Sequence, residues 1–106
     1  MAFLTLEEIS KREMLPGCKA RFIHSDNMTF SHWYLDKEAV IPLHSHPHEQ
    51  VTTLIEGELE LTIGSETRCL RPGSVAIIPS GSPHSVLTKT ECYVIDVFYP
   101  VREDYR

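Results

Sequence analysis

The stretch Pro42-Leu43-His44-Ser45-His46-Pro47-His48-Glu49-Gln50 puts three of the chain's six histidines within five residues. In an extended chain, side chains two apart share a face. His44, His46, His48 and Gln50 can then point one way while Ser45 and Glu49 point the other. Two imidazoles at that spacing offer nitrogen donors to one cation, and a third from a neighbouring strand would complete a facial set with open positions for water or substrate. His84 is the natural candidate for the third imidazole. The same residues also read as a polar surface loop, and the rest of the sequence must decide between the two.

Outward from this stretch the chain reads as short strands. Cys18 to Ile23, Met28 to Leu35, Val51 to Ile55, Leu59 to Ile63, Val75 to Ile78 and Cys92 to Tyr99 are rich in β-branched or aromatic residues, the composition of a pleated, half-buried surface. Leu59, Leu61 and Ile63 alternate with Glu58, Glu60 and Thr62, the two-residue period of a strand with one buried face. Turn residues fall between these runs at Ser25-Asp26-Asn27, Glu56-Gly57, Gly64-Ser65, Arg71-Pro72-Gly73 and Ser80-Gly81-Ser82-Pro83. Many short strands at this spacing predict an all-β sandwich or barrel. Residues 4–12 read as a helical turn or an edge segment, ended by Pro16-Gly17.

With 106 residues the expectation is one domain. A hydrophobic fraction of 42% and a charged fraction of 24% are ordinary for a globular protein and exclude a disordered chain. Apolar runs such as Val75 to Ile78 fall far short of the ~20 residues that cross a bilayer, and the start, Met-Ala-Phe-Leu-Thr-Leu-Glu-Glu, lacks a signal peptide's layout. A cytoplasmic protein with no membrane partner is expected. The formal net charge of −5, with scattered Lys and Arg, disfavours nucleic acid. Cys18, Cys69 and Cys92 are odd in number and widely spaced, so they fit neither a disulfide framework nor a Cys-x-x-Cys site and read as buried thiols.

From Gln50, six residues lead to Gly57. A second block runs Gly73, five residues, then Pro79-Ser80-Gly81-Ser82-Pro83-His84. On these positions the chain resembles the cupin superfamily. That family's first motif pairs His-x-His with an acidic residue and a later glycine, and its second sets glycine, proline, glycine and histidine at the spacing of Gly73, Pro79, Gly81 and His84. The resemblance implies a double-stranded β-helix, or jelly-roll barrel, with its core over about residues 18–99 and its metal-site motifs at 44–57 and 73–88. It also implies one divalent transition metal, Zn, Ni, Fe, Mn or Cu, on His44, His46, Gln50 and His84. Two positions depart from the pattern: Gln50 stands where a glutamate is usual, and Thr88 where an asparagine often ends the second motif. A neutral amide leaves more of the metal's charge uncompensated than a carboxylate would, making it a stronger Lewis acid and anion receptor.

The C-terminal run Tyr93-Val94-Ile95-Asp96-Val97-Phe98-Tyr99-Pro100-Val101-Arg102-Glu103-Asp104-Tyr105 puts Asp96 and Phe98 on one face, and Pro100 can turn Arg102 back toward the barrel mouth. A guanidinium can grip a carboxylate with paired hydrogen bonds, and a nearby acid can exchange protons. All three also read as ordinary strand, core and tail residues. Together with the histidine run, this ending is similar to single-domain pectin-degradation cupins of the KdgF type. The departure is Val101, where such proteins often carry a second proline. The resemblance implies ring opening and ketonisation of 4,5-unsaturated uronates from pectin or alginate, with Asp96, Phe98 and Arg102 in catalysis and substrate placement. A metal-dependent dioxygenase and a non-catalytic module binding a small acid or sugar remain open alternatives. His48 is a candidate for a supporting or substrate role, while His24 and His32 read as hydrogen-bonded structural residues. The apolar N-terminal residues Phe3, Leu4 and Leu6 would be idle in a monomer, so a homodimer is expected.

Overall fold

The computed structural model describes residues 2–106. A 3-10 turn (Leu6–Glu8) precedes ten strands: β1 (Arg12–Leu15), β2 (Cys18–His24), β3 (Thr29–Leu35), β4 (Val40–His44), β5 (Glu49–Glu56), β6 (Leu59–Ile63), β7 (Glu66–Leu70), β8 (Val75–Ile78), β9 (His84–Thr88) and β10 (Cys92–Tyr99). A second 3-10 turn (Glu103–Tyr105) closes the chain. The strands form a six-stranded sheet, β1-β2-β3-β10-β5-β8, and a four-stranded sheet, β4-β9-β6-β7. Both are antiparallel, and the all-β expectation holds.

Alternation writes the inner face. Along β3 and β10, Trp33, Leu35, Val94 and Phe98 are buried while Phe30, His32, Tyr34, Tyr93, Ile95 and Val97 between them are half-exposed. Inward leucines from both sheets, Leu54, Leu59, Leu61 and Leu70, meet Trp33, Ile78 and Val94 in one core. Full burial of such a side chain stabilises by about 1.5–3 kcal/mol. Most connections after β3 cross from one sheet to the other, so loops collect at two ends of the barrel. The turns 45–48 and 79–83 share one end. There the Gly81 amide donates to the His46 carbonyl at 2.9 Å, and the Ser80 hydroxyl to that of Pro47 at 2.5 Å.

The opposite end is tied by Thr88 and Gly57. Thr88 is buried, accepts from the Ala39 amide at 2.8 Å and donates to the Asp36 carbonyl at 2.6 Å. Gly57 has φ +93°, and a Cβ there would lie 2.2 Å from the Glu91 carbonyl oxygen. Only glycine combines that conformation with so close an approach.

Strands β1, β4, β7 and β9 lie outside the β-rich runs of the sequence, although His84 was expected on a strand. In β4, Pro42 removes a ladder donor, which a sheet tolerates at an edge or irregularity. β4 is an edge strand whose register shifts between Ile41 and His44. In β7, Glu-Thr-Arg-Cys-Leu is almost wholly exposed, so no alternation marks it. β1 lies at the edge of the large sheet beside the 3-10 turn, so residues 4–12 contain both a helical turn and the start of an edge strand. β9 carries the second histidine motif. The cysteine expectation needs one correction: Cys18 and Cys92 are buried, but Cys69 is exposed on edge strand β7.

Candidate metal centre

His44 and His84 are paired across β4 and β9 in the small sheet. His46 sits in the crossing loop, and Gln50 enters from β5 of the large sheet. One ligand nitrogen from each of His44, His46 and His84 lies within 4.8 Å of the others, so the three could hold a metal ion. His46 and His84 are buried, while His44 is partly exposed at the rim.

Each ring is held from behind. The Nδ1 atoms of His44, His46 and His84 lie 2.8, 3.0 and 2.8 Å from the carbonyl oxygens of Pro42, His48 and Ser82. A carbonyl only accepts, so the neutral rings of His44 and His84 carry the proton on Nδ1 and keep a bare lone pair on Nε2, while His46 has one proton for acceptors at both of its nitrogens. A backbone partner that fixes the tautomer is what a metal-binding imidazole requires. Burial lowers the His84 pKa and takes that of His46 to about 4, assisted by the Arg102 guanidinium. Near neutral pH the buried rings are therefore uncharged donors.

Two contacts lack a proton. His84 Nε2 is buried with no hydrogen-bond partner, a cost of about 1–3 kcal/mol for a polar atom left unpaired. His46 Nε2 faces Gln50 Oε1 at 3.0 Å. The Gln50 amide donates to Thr52 Oγ1 at 2.9 Å, and that hydroxyl donates to Asp96 Oδ1 at 2.7 Å. This relay turns the amide so that its oxygen, an acceptor, meets another acceptor. A cation between them would satisfy both, so the residues present fit a bound metal.

A cavity of about 300 Å³ brings Asp96, Phe98 and Arg102 together with His44, Gln50 and His84, and apolar side chains of the core form most of its remaining wall. Cross-strand register brings this about, because Phe98 pairs with Gln50 and Asp96 with Thr52. Burial raises the Asp96 pKa to about 6, against the lowering by hydrogen bonds from Thr52, Gln50 and Trp33 and by the charge of Arg102. Phe98 meets the His46 ring edge-on at 5.6 Å between centroids. Arg102 lies over the Phe98 ring at 4.9 Å and the Tyr105 ring at 3.9 Å.

His48 is not part of the cluster. β4 ends at His44 and β5 begins at Glu49, so two-residue alternation does not continue through the loop. The His48 ring is 5.5 Å from that of His46, and His48 is not among the three imidazoles that could hold one ion. Glu49 is exposed, as expected. His24 and His32 are hydrogen-bonded to Thr29 and Tyr93 at 2.9 and 2.6 Å. Sequence reasoning missed Thr52, Asp104 and Tyr105. Thr52 carried a readable signal, since it lies two residues beyond Gln50 on the same face of a strand.

The sequence profile of the cupin domain family matches residues 31–98. The pectin degradation protein KdgF of Dickeya dadantii is 29% identical over 102 residues, 93% of each chain. The solved structure of KdgF from Halomonas sp. superposes with a TM-score of 0.93 at 26% identity, covering 100% of this chain and 99% of that one. An RmlC-like cupin from Shewanella frigidimarina gives a TM-score of 0.95 at 25% identity, over 100% and 96% of the two chains.

Replacing Thr52 by Val removes the hydroxyl that orients the Gln50 amide. Competition with a chromogenic chelator should then show metal affinity reduced about 10-fold or more, with the fold retained by circular dichroism. Unchanged affinity would mean that the relay does not orient Gln50.

Proposed function

The chain belongs to the cupin domain family, and from that membership we propose that it opens and ketonises 4,5-unsaturated monouronates in a metal-dependent reaction. One observation carries the reading. His44 and His84, two of the three imidazoles that could hold a metal, line one cavity with the buried carboxyl group of Asp96 and with Arg102, and His46 completes the cluster beside it. These are the groups needed to polarise a sugar oxygen, move a proton and hold a carboxylate. Similarity to a pectin degradation protein over 93% of both chains supports the substrate class.

His44, His46, His84 and the Gln50 oxygen would hold the metal. When bound, a divalent transition metal supplies Lewis acidity toward a substrate oxygen. Arg102 pairs with the uronate carboxylate, and Phe98 offers a flat wall that limits water and aligns the planar, unsaturated end. Asp96 acts on protons. Opening moves the anomeric hydroxyl proton away as the ring C–O bond breaks, and the former ring oxygen gains a proton to become an enol. Ketonisation moves that enol proton to carbon. Both steps are isomerisations, so one group that alternately accepts and donates suffices. A carboxyl with a pKa of about 6 suits both duties near neutral pH.

A homodimer is part of the proposal. The outward row Ile23, Phe30, Val97, Val51 and Ile77 runs across five strands of the large sheet. Ile95 and Val75 extend it along the strands. At ~4.8 Å between strands and ~3.3 Å per residue this apolar band spans about 20 Å across the strands and about 7 Å along them, a seam continuous over five strands. Its apolar row, bordered by His32 and Arg21 in the row of Ile95, suits the same face of a second copy.

Loss of ultraviolet absorbance from a 4,5-unsaturated monouronate should accelerate with metal-loaded protein, be abolished by His46→Ala, and fall at least ~100-fold with Asp96→Asn. Turnover should be the same without oxygen. No acceleration by the metal-loaded protein would reject the reading.

For the pairing, sedimentation velocity at micromolar concentration should give a dimer, and Val97→Glu a folded monomer. A wild-type monomer would reject it.

A further inference from the structure

The Arg102 guanidinium is already half engaged. Its Nε lies 3.2 Å from Asp104 Oδ1 and its Nη2 2.6 Å from Oδ2. The Arg102 side chain is 9% exposed and that of Asp104 56%, so a buried cation is held by a carboxylate at the surface. The clamp has further parts. The Arg102 amide donates to Thr29 Oγ1 at 2.8 Å, and the Tyr105 ring packs 3.9 Å from the guanidinium carbon. Both Asp104 and Tyr105 belong to the closing 3-10 turn.

A guanidinium has two forked edges suited to a carboxylate. Asp104 takes the side edge, Nε with Nη2. The end edge, Nη1 with the second Nη2 hydrogen, makes no hydrogen bond to a described residue, while Arg102 lines the cavity. Asp104 also cancels the guanidinium charge, which matters where a neutral ligand set leaves a divalent ion uncompensated.

We infer that Asp104 is a positioning and specificity-determining residue: it fixes Arg102 so that only the end edge receives a ligand carboxylate, and it tunes the site to monoanions over dianions. The inference takes its ligand class from the uronate reading, but not its reaction. Asp104 touches no substrate in this scheme and acts through Arg102.

The test is calorimetric binding of D-galacturonate, a monoanion, and D-galactarate, a dianion of similar size, to metal-loaded protein. Asp104→Asn keeps the shape and removes the charge. It should shift the affinity ratio toward galactarate about 10-fold, because the dianion gains twice from one added unit of positive potential. The shift should disappear when Arg102→Met is combined with it. Asp104→Ser, which removes the clamp as well, should weaken galacturonate further than Asp104→Asn does. A ratio unchanged within about twofold would overturn the inference, as would an equal shift in the Arg102→Met background, or no binding of either acid to the wild type. Should the ratio shift while the unsaturated monouronate is not turned over, the uronate reaction falls and the role of Asp104 stands.

Discussion

Imidazole nitrogens of His44, His46 and His84 and the Gln50 amide oxygen converge on one small volume, where His84 Nε2 has no hydrogen-bond partner and His46 has one proton for two oxygen acceptors. Buried acceptors facing one another are unfavourable unless a proton or a cation lies between them. Protonating the rings is the costly alternative, because burial holds the His46 pKa near 4 and also lowers that of His84. The arrangement is therefore complementary to a cation, and much of the barrel mouth serves to maintain it.

Sheet connectivity explains how so many polar groups are held at one end. The β4–β5 and β8–β9 connections cross between the sheets at the same mouth and are joined by the Gly81 amide and the His46 carbonyl. The small sheet contributes His44 and His84, and the large sheet Gln50, Thr52, Asp96 and Phe98. Apolar side chains beneath them keep water away and depress the charged forms of the histidines. The same burial raises Asp96, so one environment yields neutral imidazoles that could hold a metal and a carboxyl group whose pKa lies near 6.

What could be read from sequence depended on how local each signal is. Strands with a buried face, such as Leu59–Ile63 and Cys92–Tyr99, announce themselves by alternation. Strands β4 and β7 lie at sheet edges, where proline and wholly exposed positions erase the pattern. His44, His46 and His84 stood out through fixed motif spacing. Thr52 could be placed only on the face of Gln50, its contact with Asp96 arising from register between β5 and β10, and Asp104 gave no signal, because its role arises from a turn that folds the C-terminus onto the mouth. His48, which motif spacing set apart from His44 and His46, shared their face only while the chain was taken as continuously extended. The break between His44 and Glu49 removes that equivalence.

The most direct test of this account is metal stoichiometry. Wild-type protein would be stripped with chelator, reloaded with a single divalent transition metal, dialysed and analysed for metal per chain, alongside His84→Ala. One equivalent in the wild type, with its loss in the variant, is the predicted result. No retained metal in the wild type, or equal retention in His84→Ala, would contradict the cation centre on which the rest depends.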